Sequence, residues 1–299
     1  MKKKRTHTNR LIFSTAAIIA AGILIYFWFC TDRTLKEPPE TESSVFTESA
    51  ASKTEYPEEP ATERAKPDTA DNPAPTTETM LIQETDRIRS LPAGEIAEVQ
   101  ILTPEQISSL FFAEELNDAV FTRINGLSYT ENPNVKRSDL SYLKMLYYGF
   151  DGNTYVGEMI VNQKIESDIL QIFRTLYENK YPIEKMVLID NYDASDTLSM
   201  EDNNTSAFNY RTISGSDKLS NHSYGMAIDL NPKYNPYVKT ASDGSVTCQP
   251  ESGREYADRS KDFAYKINEN DLAYRLFTEA GFTWGGNWNS VKDYQHFEK

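Results

Sequence analysis

Histidine is scarce in this chain of 299 residues, occurring only as His7, His222 and His296. His7 sits among Lys2, Lys3, Lys4, Arg5 and Arg10 ahead of a long uncharged run, so only His222 and His296 can serve a domain beyond it. Their surroundings are Ser220-Asn221-His222-Ser223-Tyr224-Gly225-Met226-Ala227-Ile228-Asp229-Leu230 and Asp293-Tyr294-Gln295-His296-Phe297-Glu298. In the first segment Met226, Ile228 and Leu230 alternate with Ala227, Asp229 and Asn231; a strand puts the apolar set on the core and turns Asp229 to the other face. His222 comes seven residues before Asp229, an odd offset that separates the two on a straight strand. Gly225 supplies the bend that returns both to one side. A carboxylate and an imidazole converging with a second imidazole make the three-ligand shell of a catalytic zinc, which leaves a fourth position for water. His296 is the natural third ligand.

Each residue alone has a plainer reading. Lone histidines are usually packing residues, Asp229 could be a solvated strand position, and Asp293 a turn cap. Together, at these spacings, they favour metal. Ser220, His222 and Asp229 do not form a hydrolase triad, because the Ser lies two residues from the His and no Gly-x-Ser-x-Gly turn exists. Asn203-Asn204-Thr205 and Asn221-His222-Ser223 match glycosylation acceptors, but a sugar at Asn221 would crowd the metal. Cys248 reads as a partly buried free thiol, and Cys30 ends the apolar run, so disulfides do not hold this fold.

The pattern Ser-x-His-x-x-Gly-x-Ala-x-Asp (Ser220, His222, Gly225, Ala227, Asp229), followed by the late Asp-x-x-His of Asp293 and His296, resembles the M15 family of zinc metallopeptidases. That family comprises D-alanyl-D-alanine carboxypeptidases and dipeptidases and L-alanyl-D-glutamate endopeptidases that cut peptidoglycan stem peptides. The similarity runs over residues 186–299. It implies that His222, Asp229 and His296 hold Zn²⁺ and that Asp293 is the general base that takes a proton from the metal's water. Ser206-Ala207-Phe208-Asn209-Tyr210-Arg211 is similar to the family's Tyr-Arg segment, which makes Arg211 the candidate for binding substrate and stabilising the oxyanion. The carboxypeptidase branch generally has Glu where this chain has Asp293, a departure that tilts the resemblance toward the endopeptidases. Glu298, two residues past His296, is the next carboxylate in line.

Three elements must position these residues relative to the cell. Residues 11–30 are uncharged, long enough to span a bilayer as a helix, preceded by bases and ended by Tyr26-Phe27-Trp28-Phe29-Cys30; they read as an uncleaved signal anchor, with residues 1–10 as a cytoplasmic tail. Residues 31–94 are rich in Pro, Glu, Thr, Ser and Ala, with seven of the chain's 14 prolines between Thr31 and Pro75, which reads as a disordered stalk. Residues 95–299 remain as a single peptidase domain facing the cell wall. Its net charge is negative, as is that of the whole chain at −14, and with no basic stripe it excludes nucleic acid as a partner.

Within that domain, residues 104–109 and 111–123 read as short helices. Residues 140–148 and 154–161 flank Phe150-Asp151-Gly152-Asn153 as a β-hairpin. Ile165, Ile169, Ile172, Phe173 and Leu176 recur at helical spacing over residues 163–179. Strands are expected at 186–189, 226–230 and 294–298, and a helix at 271–280 ended by Gly281. Strands and helices do not alternate regularly, so the expected class is α+β, a central antiparallel sheet flanked by helices. Trp284-Gly285-Gly286-Asn287-Trp288 supplies a loop ahead of the last strand.

The function expected is therefore a membrane-anchored zinc peptidase acting on peptidoglycan stem peptides. The rival readings are a degenerate wall-binding module of the same fold and a tethered structural protein whose histidines only pack. Filled ligand and base positions weigh against the module, and metal content separates the structural protein.

Overall fold

The computed structural model describes residues 76–299. The anchor at 11–30, the tail before it and most of the stalk lie outside the described residues. Among the described residues no helix is long and apolar enough to cross a membrane.

Helix α1 (Thr77–Ser90) opens the fold, capped by the Thr76 side chain accepting from Thr79 N–H. It falls inside the range expected to be disordered stalk, so the ordered region begins earlier than residue 95. Its inward stripe is Leu81, Thr85 and Ile88, with Ile88 fully buried beside Leu110, Leu146 and Val156. One threonine in a three-residue stripe is why the periodicity was too weak to read. The Lys144 ammonium closes the helix end by donating to the Arg89 and Leu91 carbonyls at 2.6 and 2.7 Å.

After α2 (Pro104–Ser108), residues 111–123 are not one helix. Strand β1 (Phe112–Glu115) pairs antiparallel with Ser141–Lys144, and Asn117 then caps α3 (Asp118–Ile124) by accepting from Val120 N–H. The Asn117 cap fixes where the helix can start, and the open edge of the next strand claims what precedes it. The hairpin β2 (Leu140–Tyr148) and β3 (Thr154–Asn162) forms as expected, with Gly152 at φ +85° in its turn. Both faces of this sheet are covered. Leu143, Met145, Met159 and Val161 pack on α4 (Glu166–Glu178) through Ile169, Ile172, Phe173 and Leu176, while Leu140, Tyr142 and Ile160 pack on Val120 and Ile124 of α3.

Residues 186–189 are buried but do not form the expected strand. Met186 O accepts from Glu158 N–H and Val187 N–H donates to the Asn204 side chain, so the backbone is satisfied without a ladder. A short helix α5 (Asp196–Glu201) follows. The C-terminal third holds β4 (Ala227–Asp229), β5 (Tyr237–Thr240), β6 (Val246–Gln249), α6 (Leu272–Glu279), β7 (Thr283–Trp284), β8 (Lys292–Asp293) and β9 (His296–Glu298). Helix α6 is capped by Asp271 and followed by Gly281 at φ +88°.

The class is α+β with antiparallel sheets, but there is no single central sheet. Three three-stranded sheets form in the orders β1-β2-β3, β4-β9-β7 and β6-β5-β8. Short strands broken by Gly and Pro cannot extend one ladder far enough to join them. The second sheet is pinned by Phe297, fully buried and stacked on Phe277 of α6 with ring centroids 4.3 Å apart.

Candidate metal centre

The site is built on the β4–β9 ladder, which pairs Asp229 with His296 and Ala227 with Glu298. Ile228 and Phe297 take the core face and are fully buried. Period-two alternation therefore puts Asp229, His296 and Glu298 together on the opposite face. Ser206 borders the same strand: its N–H donates to Asp229 O and Asp229 N–H donates to Ser206 O, at 3.0 and 2.9 Å.

His222 arrives on a one-turn helix, Asn221–Tyr224, whose cap is the Ser220 hydroxyl accepting from His222 N–H. Gly225 ends that turn at φ +65°, the bend expected from the sequence. Only glycine fits there, since a Cβ would meet Asn162 N at 2.6 Å and Val161 C at 3.0 Å. Asn162 holds the turn against the end of β3, its N–H donating to Gly225 O and its side-chain amide to Tyr224 O.

Three candidate ligand side chains converge. His222 Nε2 lies 3.2 Å from Asp229 Oδ2 and 3.2 Å from His296 Nδ1, and His296 Nδ1 lies 3.0 Å from Asp229 Oδ1. Both imidazoles are buried, and each is held by its other nitrogen. His222 Nδ1 donates to the Ala207 carbonyl at 2.5 Å, and His296 Nε2 donates to Glu298 Oε2 at 3.0 Å. Those outer partners leave His222 Nε2 and His296 Nδ1 as the lone-pair nitrogens once the rings are neutral. The donor set suits zinc. Two imidazoles and a carboxylate are the ligand types zinc takes, and one such atom from each residue lies within 4.8 Å of the others.

The charges around the cluster are strongly coupled. Burial pushes the Asp229 carboxyl up, but the flanking His222 and His296 outweigh it and hold the group well below the usual carboxylate range. Burial lowers His296, yet the hydrogen bonds to Asp229 and Glu298 and the nearby Asp293 charge raise it to about 10. Without a cation in the cluster, a proton on His296 balances the acids.

Asp293 precedes β9, in β8 opposite Tyr237, so the odd offset from His296 is absorbed by the bend at residues 294 and 295. Its carboxyl is raised to about 6, by burial first and by the Asp229 charge, against the pull of His296. Asp293 Oδ1 is buried with no hydrogen-bond partner among the described residues. The 284–288 turn packs over this corner. A Cβ on Gly285 would meet Asp293 O at 2.6 Å and His296 Cβ at 3.3 Å. Trp284 is core, its indole N–H bonded to Tyr294 O, whereas Trp288 sits half-buried with its ring 5.3 Å from the His296 ring.

Arg211 is tied to this region through its backbone. Its N–H donates to Ser223 Oγ at 2.9 Å and its carbonyl accepts from Ser220 N–H at 3.1 Å. Its guanidinium pairs with Asp196, whose carboxylate also accepts from the Asn209 side chain. Among the described residues no hydrogen bond or ion pair joins Arg211 to His222, Asp229, Asp293 or His296. The Ala207 carbonyl, Asn221 and Asp196 were not legible as site partners beforehand; only the His-x-Glu spacing of His296 and Glu298 carried a signal.

Residues 214–299 match the family model described as D-alanyl-D-alanine carboxypeptidase, one of the M15 peptidases. Over this segment the chain is similar to the M15 peptidases. No curated protein and no solved structure matches the chain. The matched segment contains His222, Asp229, Asp293 and His296, and Arg211 lies just ahead of it.

Proposed function

We propose that the protein is a zinc peptidase that hydrolyses peptide bonds in the stem peptides of peptidoglycan. The observation that carries this reading is the convergence of His222 Nε2, an Asp229 oxygen and His296 Nδ1, all within 4.8 Å of one another, inside the segment matched to the M15 peptidases. His222, Asp229 and His296 would hold the ion. When bound, zinc supplies a water acidic enough to ionise near neutral pH and polarises the scissile carbonyl.

The chain's own residues do the rest. Asp293, buried and with a free Oδ1, takes the proton from the attacking water and returns it to the departing amine nitrogen. In the metal-free protein burial and the Asp229 charge hold this carboxyl above the usual carboxylate range, and a cation beside it pulls it back toward the ionised, proton-accepting form. Trp288, its ring 5.3 Å from the His296 ring, borders the proposed metal centre. Arg211 is the residue proposed to meet the substrate carboxylate or the developing oxyanion, for which its guanidinium must swing from Asp196 or act with it.

The sequence of residues 1–75 supports the cellular placement: a basic tail, an apolar run of bilayer length and a Pro-rich tether holding the peptidase outside the membrane, against the wall. The test is elemental analysis of the full-length protein together with mass spectrometry of peptidoglycan fragments incubated with it. One zinc per chain and new stem-peptide fragments are expected. The fragment masses distinguish removal of a terminal D-alanine from cleavage between L-alanine and D-glutamate.

A further inference from the structure

We propose that Glu298 is a positioning residue of the metal centre, clamped in place by Asn221 so that His296 keeps Nδ1 aimed at the ligand cluster. This inference rests on the zinc reading above. Glu298 Oε2 receives two hydrogen bonds, from His296 Nε2 at 3.0 Å and from the Asn221 side-chain amide at 2.7 Å. Asn221 immediately precedes the first histidine ligand, and Glu298 stands two residues after the last. One oxygen thus joins the two ligand-bearing segments from behind the cluster.

The arrangement has three physical consequences. A carboxylate facing Nε2 selects the tautomer with its proton there, which leaves the Nδ1 lone pair toward His222 and Asp229. Without it the imidazole can turn about its Cβ–Cγ bond, because among the described residues no backbone carbonyl holds His296 as the Ala207 carbonyl holds His222. The Asn221 amide in turn holds the carboxylate, a long side chain that is only half-buried and would otherwise sample several rotamers. Ladder position makes the pairing unavoidable, since His296 and Glu298 share a face while Phe297 between them is locked in the core.

The test uses full-length protein and the variants Glu298→Ala, Glu298→Gln and Asn221→Ala. Zinc affinity is read by competition with a chelating dye, and the visible absorption of the cobalt-loaded protein reports the ligand geometry. Glu298→Ala should weaken zinc by about 10–100-fold and alter the cobalt bands. Glu298→Gln keeps an oxygen that can accept from both donors, so it should retain more affinity than the alanine variant while falling below wild type. Asn221→Ala should lose less, in the same direction. Should Glu298→Ala fail to fold, the glutamine variant decides alone. Wild-type affinity and an unchanged cobalt spectrum in the folded variants, even with a lowered melting temperature, would overturn the proposal. A wild-type protein that takes up neither metal would instead remove the zinc reading beneath it.

Discussion

Asp229 and His296 sit directly opposite each other across the β4–β9 ladder, with Oδ1 and Nδ1 3.0 Å apart. The ladder therefore fixes two of the proposed ligands by backbone pairing, and the third, His222, is brought to them by the Gly225 turn. Replacing His296 by Ala should abolish stoichiometric metal while leaving the fold intact, because Phe297 and not His296 carries the core contact. Metal content and circular dichroism of the variant check this.

Asp293→Asn removes a base without removing a proposed ligand. Zinc content should match wild type, and kcat should fall by about 10²–10⁴-fold. Since Asp293 is raised to about 6 and a nearby cation can only pull it down, wild-type hydrolysis should decline as the pH drops through 6 or below. A steady-state pH profile of both proteins reads out the two effects.

The metal-free protein should also lose stability in base. His296 is raised from 6.5 to about 10, so its contribution is fully present below about pH 6.5 and is lost as the pH climbs through 10. Metal must displace that proton, so zinc affinity should rise with pH over the same window. Thermal melts from pH 6 to pH 10 with and without zinc are the check; the zinc-loaded melt should be nearly flat where the metal-free one falls.

The convergence of His222, Asp229 and His296 is legible in the sequence because its determinants are local. Alternation of Met226, Ile228 and Leu230 fixed the face of Asp229, and a glycine stood where a bend was required. What escaped depends on tertiary partners. Helix α1 is anchored by the buried Ile88 and by Lys144 reaching its last carbonyls, neither of which marks residues 77–90 as helical. Strand β1 exists because β2 had a free edge. Residues 186–189 read as a strand since they are apolar and buried, but the side chain of Asn204 took the place of a neighbouring strand. Arg211 could be placed beside the His222 turn, yet its pairing with Asp196, fifteen residues away, follows from no local pattern.

Gly225→Ala tests the bend independently of the chemistry. A side chain at φ +65° with its Cβ 2.6 Å from Asn162 N should cost about 1–3 kcal/mol from backbone strain, and more if β3 cannot shift. Chemical denaturation of the metal-free variant measures that loss. Zinc affinity should drop with it, because the turn carries His222.

The most direct test of the central claim is mass spectrometry of peptidoglycan fragments incubated with full-length protein that has been loaded with zinc, stripped by chelator, and reloaded. The zinc-loaded and reloaded samples should yield the same shortened stem peptides, and the stripped sample and the His222→Ala variant should yield none. Cleavage that persists in the stripped protein and in the variant, or its absence from a protein carrying one zinc per chain, would contradict the account.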